Sequence, residues 1–141
     1  MPVEFELDGE ARIVRSRAFG VVTHHEMYEH MDRVRELFED GTLDVTWAQI
    51  ADFSATERLE GASAERIRSM AMSNPWPAGS LRAFITPTDL LFGLGRMYQL
   101  SGRDEGENLR IVRSLEEALA WIAGRRSTSA GTTLETTTEA P

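Results

Sequence analysis

The stretch LRAFITPTDLLFGLGRMYQL (residues 81–100) contains the pattern that decides the fold. Its opening run LRAFIT is short and mostly apolar, which is typical of a buried strand. Thr86 fits a helix N-cap, Pro87 the first helical position and Asp89 the capping carboxylate. The residues that follow recur at helical spacing. The stretch therefore predicts a strand that leads directly into a helix, the repeating unit of parallel α/β sheets.

The same strand-then-helix unit is predicted on both sides of this stretch. Upstream, WAQIADF (47–53) precedes a helix that begins after Ser63 and ends near Ser73. Downstream, NLRIV (108–112) precedes the helix SLEEALAWIAG (114–124), for which Gly124 is a stop signal.

The beginning of the chain predicts a hairpin followed by the first helix. VEFEL (3–7) and ARIVRSRAF (11–19) flank the turn signal Asp8-Gly9, and THHEMYEHMDRVRELFED (23–40) carries a helical apolar stripe. The resulting order is β-β-α-β-α-β-α-β-α. It predicts a single α/β domain with a central mixed sheet of about five strands and helices packed against it. The first two strands form an antiparallel hairpin at the edge.

Composition sets the domain limits and the environment. The 141 residues fit one domain, which we predict over residues 1–124; residues 125–141 are rich in Thr and Ser and predict a disordered tail. The chain has no cysteine, which excludes disulfides and thiolate chemistry and fits the cytoplasm. No signal peptide and no membrane span are predicted. A net charge of −8 argues against nucleic-acid binding.

The order of elements resembles the STAS domain, the fold of bacterial anti-sigma-factor antagonists, and the small uncharacterised bacterial STAS-like proteins related to it. LRIVRSLEEALAWI (109–122) is similar to their closing strand and helix. ADFSATERLEGAS (51–63) is similar to the strand-to-helix turn that carries their regulatory site. The resemblance implies a non-enzymatic regulatory domain that binds a protein partner or itself, as a homodimer would.

In the antagonists, the regulatory turn ends in a serine that becomes phosphorylated. The match begins at Asp52-Phe53-Ser54, and the spacing places Glu60 at an aspartate position and Gly61 at the phosphoacceptor. Glycine cannot be phosphorylated. Ser63 lies nearby and is the candidate for a shifted phosphoacceptor, although its spacing also fits a helix N-cap.

The predicted helix in residues 86–100 offers a candidate binding surface. With Thr86 as N-cap, the residues that face the core are Leu90, Leu91, Leu94, Met97 and Tyr98, and Gly93 borders a closely packed neighbour. Phe92, Arg96 and Gln99 then point outward. An aromatic residue beside an arginine is either ordinary surface or a binding hot spot. We predict an interface formed by this helix and the 52–63 turn, with these candidate residues: Phe92, Arg96, Gln99, Asp52, Ser54 and Glu60.

Trp76 lies between two prolines in NPWPAG (74–79) and has two interpretations. It covers a sheet edge or a helix end, or it is the lid of a pocket. The second interpretation belongs to the alternative function, binding of a small molecule such as a lipid or a nucleotide. That function predicts an apolar cavity near Trp76, Met70 and Met72 with few polar groups converging on it.

Metal and catalytic motifs are weak in this sequence. The histidines His24, His25 and His30 lack the HExxH spacing, so we predict no metal and no cofactor. Ser54 follows a predicted strand, but no nucleophile elbow is present. The remaining alternative is an uncharacterised enzyme using Asp52 and a histidine, which predicts that Asp52 lies in a cleft beside a histidine.

Overall fold

A computed structural model of the chain describes residues 3–102 and 108–139, with residues 129–139 described by their backbone alone. Strands and helices follow one another in the predicted order. Their bounds are β1 Val3–Asp8, β2 Ile13–Thr23, α1 His24–Glu39, β3 Ala48–Glu60, α2 Ala64–Ser73, β4 Arg82–Ile85, α3 Asp89–Ser101, β5 Leu109–Val112 and α4 Leu115–Glu139.

The sheet has five strands in the order β1-β2-β3-β4-β5. β1 pairs antiparallel with β2, and the remaining neighbours pair in parallel. Each helix between two parallel strands therefore crosses over a face of the sheet to reach the next strand. The predicted mixed sheet with an antiparallel edge hairpin is confirmed.

The second and third strands are longer than the sequence predicts. β2 and β3 continue side by side to the pair Thr23 and Glu60, past the level at which β4 ends opposite Asp52. Most of the predicted 52–63 turn is therefore strand, and the prediction of a turn there is wrong. This extension has only two strands, so its side chains are largely exposed. The run ATERLE (55–60) is therefore polar and lacks the apolar pattern of a buried strand.

The two faces of the sheet are covered differently. α4 packs on one face, where the buried core residues are Ile13, Ala48, Ile50, Ala83, Ile85, Val112, Ala118 and Ile122. The other face has one core under α1, formed by Val14, Val34, Leu43 and Trp76, and a second core near α3, formed by Ala51, Phe84, Leu109 and Ile111. The candidate site lies on this second face.

α3 begins later than the sequence predicts. Thr88 is the N-cap, and its hydroxyl accepts a hydrogen bond from the backbone N–H of Leu91 at 3.2 Å. Thr86 is instead buried, and its hydroxyl donates to the Val112 carbonyl at 3.3 Å. Thr86 and Thr88 both offer a capping hydroxyl, and the second lies directly before the acidic first turn at Asp89, which the helix dipole favours.

The face that α3 turns toward the sheet agrees with the prediction only in part. Leu91 is buried as predicted, but Gly95 and Gln99 are buried too, whereas Leu90 is 71% exposed. A Cβ on Gly95 would lie 3.3 Å from two side-chain carbons of Ile111, so this glycine permits the close approach. Gly93 has open space around it, and the predicted close contact there is wrong. Apolar residues surround most of α3, so periodicity alone could not select its buried face.

The last helix continues through Gly124, and the predicted stop there is wrong. Arg126 donates from Nη1 to the carbonyl of Ala11 at 2.7 Å and from Nη2 to the carbonyls of Arg12 and Thr46 at 3.0 Å. Arg125 donates to Asn108 at 2.7 Å. Both arginines contact the folded domain. Disorder beyond Thr128 stays a prediction.

We predict that truncation has a sharp threshold at these two arginines. Deleting residues 129–141 should leave the melting temperature within about 1 °C, whereas deleting residues 125–141 should lower it by roughly 3–8 °C, because the second deletion also removes charge-assisted hydrogen bonds. Differential scanning calorimetry of both proteins beside the full chain measures this. Equal melting temperatures for the two truncations would show that Arg125 and Arg126 contribute nothing.

Candidate ligand-binding site

A cavity of about 90 Å³ lies between the sheet and helices α1, α2 and α3. β2, β3 and β4 form its floor through Ser16, Gln49 and Arg82. Most of its lining is apolar and comes from Val22, Met31, Ile67, Met70, Leu91 and Leu94. This composition, apolar walls with a few convergent polar groups, is that of a small-molecule site.

Four polar side chains on the floor and wall of the cavity form one hydrogen-bonded chain. Arg82 Nε donates to Gln49 Oε1 at 2.9 Å, and Gln49 Nε2 donates to Ser16 Oγ at 3.3 Å. Ser16 Oγ lies 2.9 Å from His30 Nε2. Since the Ser16 oxygen accepts from Gln49, its proton is free to go to His30 Nε2, which fits a neutral imidazole protonated on Nδ1.

The sheet brings these residues together through its register. Gln49 and Arg82 are direct partners across the parallel pair β3 and β4. Ser16 lies on β2, whose next neighbour is β3, and His30 projects from α1 above that strand. Three neighbouring strands and helix α1 therefore place four groups in one row. They are the guanidinium of Arg82, the amide of Gln49, the hydroxyl of Ser16 and the imidazole of His30.

Arg82 is the unusual member of this hydrogen-bonded chain, because it is only 8% exposed and has no counterion among the described residues. In residues 3–102 and 108–139, no carboxylate forms a salt bridge with it, and Nε is the one guanidinium nitrogen with a hydrogen-bond partner. Neither Nη atom is among the side-chain atoms of the described residues that are both fully enclosed and without a hydrogen-bond partner. Both Nη atoms therefore keep accessible surface, and Arg82 lines the cavity.

Three aromatic rings surround the Arg82 guanidinium. Its carbon lies 5.2 Å from the ring centre of Phe84, 5.5 Å from that of Tyr98 and 5.9 Å from that of Trp76. The electron-rich faces of aromatic rings attract a cation at such distances and offset part of the cost of burying it. The rings hold the charge in place without neutralising it.

His30 is neutral in this setting. Burial, followed by the positive charges of Arg82 and Arg33, lowers its pKa from 6.5 to about 4. Its ring also packs edge-on against Phe5, with ring centres 5.3 Å apart. The imidazole therefore serves as a hydrogen-bond acceptor for Ser16 at neutral pH.

Exposed and half-buried residues line the other end of the cavity. Arg17 and Glu60 are exposed, and Asp52 is half-buried. Gln49 and Phe53, which both line the cavity, are four residues apart in β3, so the cavity runs roughly 13 Å along the strand. One end is therefore deep and cationic, and the other end meets the surface.

The structure gives a physical reason for glycine at position 61. Gly61 has a φ of 79°, which is a left-handed conformation, and a Cβ there would lie 2.6 Å from His24 Nδ1. A serine would be strained and would displace the histidine. Ser63 is the N-cap of α2, with its hydroxyl accepting from the Arg66 N–H at 3.2 Å. Its phosphorylation stays a prediction.

The residues predicted as an interface do not share one surface. Gln99 is buried and donates to the Leu109 carbonyl at 2.5 Å, so its predicted outward direction is wrong. Phe92 is half-buried against the core near α3, with the Arg113 guanidinium 4.5 Å from its ring centre. Arg96 is exposed, and its Nη1 donates to Gln99 at 2.9 Å.

The other predicted residues divide between the cavity and the surface. Asp52, Glu60 and Trp76 line the cavity, whereas Ser54 is exposed and its N–H donates to Asp52 Oδ1 at 2.8 Å. Trp76 is buried and packs edge-on against Phe38 with ring centres 5.1 Å apart. It is thus part of the cavity wall.

The sequence does carry a signal for the cavity residues that were not predicted. Arg82 interrupts the apolar run LRAFIT, and Gln49 interrupts WAQIADF. A charged or amide side chain inside a strand that is otherwise buried needs a partner, and two such residues in neighbouring strands can supply one another. Met70 lines the cavity as the small-molecule alternative predicts, but Met72 is exposed and does not.

The metal, membrane and catalytic hypotheses can each be compared with the described ranges. Residues 3–102 and 108–139 contain no group of three or more histidine, aspartate or glutamate side chains that could hold a metal ion. Within the same ranges, no helix is long and apolar enough to cross a membrane. Asp52 lines the same cavity as His24 and His30, but among the hydrogen bonds of this part of the chain none joins Asp52 to a histidine.

Comparison with known proteins identifies the fold. No protein-family model matches the chain, and no curated protein matches its sequence. Among solved structures, an uncharacterised Shewanella loihica PV-4 protein of the DUF3478 family, described as having a SpoIIAA-like fold, is similar with a TM-score of 0.57 and 17% identity. The match covers 85% of this chain and 91% of that one.

The second similar structure is the anti-sigma factor antagonist SpoIIAA in its unphosphorylated form. Its TM-score is also 0.57, at 14% identity, and the match covers 86% of this chain and 98% of SpoIIAA. The chain therefore has a STAS-like, SpoIIAA-like fold, as the order of its elements predicts. At these identities, the likeness establishes the fold and leaves the function to be argued from the site.

We predict that His30 makes stability depend on pH. Because its folded pKa is near 4 and its ordinary value is 6.5, the unfolded chain binds more protons between these values. The contribution of neutral His30 to the free energy of unfolding is fully present above about pH 6.5. It falls by roughly 3 kcal/mol as the pH is lowered to 4. Urea unfolding of wild type and His30→Gln from pH 7 to pH 4 measures the difference.

His25→Gln is the matched control, because His25 is exposed on the same helix. It should retain the wild-type pH dependence, whereas the curve of His30→Gln should be flatter by about the stated amount. Parallel curves for wild type and His30→Gln would contradict a buried, neutral His30.

Proposed function

We propose that this protein is a non-enzymatic binding domain that takes a small, largely apolar ligand into the cavity beneath α1, α2 and α3. The observation that carries the proposal is the cavity itself, with apolar walls and the Arg82 chain at one end. The sequence favours a protein partner over a small ligand; the geometry favours the small ligand. We also propose a cytoplasmic location, which the lack of cysteine supports.

The lining of the cavity supports a ligand. Ala18 and Ala51 line it with small side chains, where larger ones would fill it. An apolar occupant would bury the surrounding apolar surface, which is favourable by about 25 cal/mol per Å².

A neutral probe tests this function. Hexan-1-ol, followed by two-dimensional amide NMR, should cause saturable shifts that are confined to residues around the cavity, such as Val22, Ile67 and Leu91. Ala51→Leu should weaken binding at least tenfold, since the added carbons occupy the cavity. Ala120→Leu, on the exposed side of α4, is the matched control and should bind as wild type does.

Two results would contradict the proposal. The first is the absence of saturable shifts in the wild type, and the second is equal binding by wild type and Ala51→Leu. Circular dichroism of each variant shows whether it is folded, and Ala18→Leu is the alternative blocking variant if Ala51→Leu does not fold.

A second candidate function is self-association through α3, and an exposed apolar stripe favours it. Leu90 is 71% exposed and Leu100 is 70% exposed, with Met97 on the same side and Gly93 between them. Spacings of three and seven residues put these positions on one helix face. An uncharged apolar stripe is self-complementary, as a two-fold symmetric interface requires.

We expect light scattering to report a dimer that Leu100→Glu converts to a monomer, because the charge would be buried against its copy. Leu119→Glu is the matched control, since Leu119 is an exposed leucine on α4, and it should stay dimeric. A monomeric wild type would remove this candidate. Phe92 is unsuitable for the test, because it is half-buried against the core and its replacement would disturb folding.

A further inference from the structure

We propose that the ligand of this cavity is a small monocarboxylate with an apolar body and that the Arg82 guanidinium binds its carboxylate. This inference rests on the proposed function and adds the chemical class of the ligand. It explains why a cation stands at the deep end of an apolar cavity without a carboxylate of the described chain paired to it.

The donor geometry of Arg82 selects a carboxylate. Its Nε is used by Gln49, the two Nη atoms have no hydrogen-bond partner in the described part of the chain, and Arg82 lines the cavity. The N–H groups of a guanidinium project in a fixed plane and match the two oxygens of a carboxylate. Gln49 fixes the plane by holding Nε, so the remaining donors are oriented before a ligand arrives.

The charge of the site selects a single negative charge. Arg82 supplies one positive charge, and the other polar members of the chain, Ser16, Gln49 and neutral His30, supply none. A monocarboxylate would bring the charge at this end of the cavity to zero, since Arg17, Asp52 and Glu60 line the opposite end. A phosphate with two negative charges would leave one of them uncompensated among apolar walls, which is costly. The overall charge of −8 also disfavours multiply charged anions.

The shape of the cavity sets the body of the ligand. About 90 Å³ accommodates a short chain or a single ring rather than a long lipid, and the walls that face it are leucine, isoleucine, valine and methionine side chains. With the carboxylate at Arg82, the apolar body would extend along β3 toward Phe53 and the open end. The same cavity then satisfies both halves of an amphipathic molecule.

A matched pair of probes tests the inference. Hexanoate and hexan-1-ol share an apolar chain and differ in the charged group. We expect hexanoate to bind wild type at least tenfold more tightly than hexan-1-ol, because charge-assisted hydrogen bonds in a buried site are strong. Two-dimensional amide NMR titrations at pH 7 give both affinities.

Variants then locate the carboxylate. Arg82→Met should remove the preference for hexanoate while retaining hexan-1-ol binding, because methionine keeps an apolar stem of similar length. Arg17→Met is the matched control: Arg17 also lines the cavity but is exposed, and its loss should leave the preference intact. If Arg82→Met does not fold, Arg82→Lys retains a charge without the planar pair of donors and should reduce the preference.

The outcomes separate this inference from the proposed function. Tighter binding of hexanoate that depends on Arg82 supports both. Equal binding of the two probes, or a preference that Arg17→Met removes, would overturn the carboxylate inference and leave the apolar site standing. Failure of both probes to bind would overturn the proposed function as well.

Discussion

The pairing of Gln49 with Arg82 across β3 and β4 is the constraint on which the face of the sheet beneath α1, α2 and α3 depends. The Arg82 Nε requires an oxygen, so the Gln49 amide turns its Oε1 toward it at 2.9 Å. The Nε2 of the same amide must then face Ser16, which leaves the Ser16 proton for His30. One buried guanidinium thus sets the orientation of three other polar groups. Each bond in this enclosed chain would cost roughly 1–3 kcal/mol if its partner were removed.

The buried polar chain lies in the cavity beneath the helices, whereas the sequence resemblance indicates a functional group in residues 52–63. In a STAS-like regulatory turn the functional group would be an exposed hydroxyl. Here that position is Gly61, where an added Cβ would lie 2.6 Å from His24 Nδ1. The charged group at the cavity that the fold holds in place is Arg82, through Gln49 and three aromatic rings. On our proposal, the same scaffold presents a ligand site beneath its helices.

The sequence predicts the fold well because each signal for it is local. The hairpin turn at Asp8, the capping box of α1 and the short apolar strands determine the order of elements, and the strand pairing follows from that order. The signals fail where competing patterns coexist. Two threonines could cap α3, which is apolar on nearly every side, so the prediction of its start is wrong and the prediction of its buried face is right at Leu91 but wrong at Leu90. The Arg82 chain joins four residues far apart in sequence, and only the strand register reveals that they meet.

A crystal structure of the protein with bound hexanoate would show whether Arg82 binds the carboxylate. We expect both carboxylate oxygens at hydrogen-bond distance from the two Nη atoms of Arg82, about 2.7–2.9 Å, with the chain extending toward Phe53. Gln49 should keep its bond to Nε in that complex. Hexanoate bound with its carboxylate at Arg17 and its chain turned away from Arg82, or a cavity that stays empty at saturating hexanoate, would contradict this expectation.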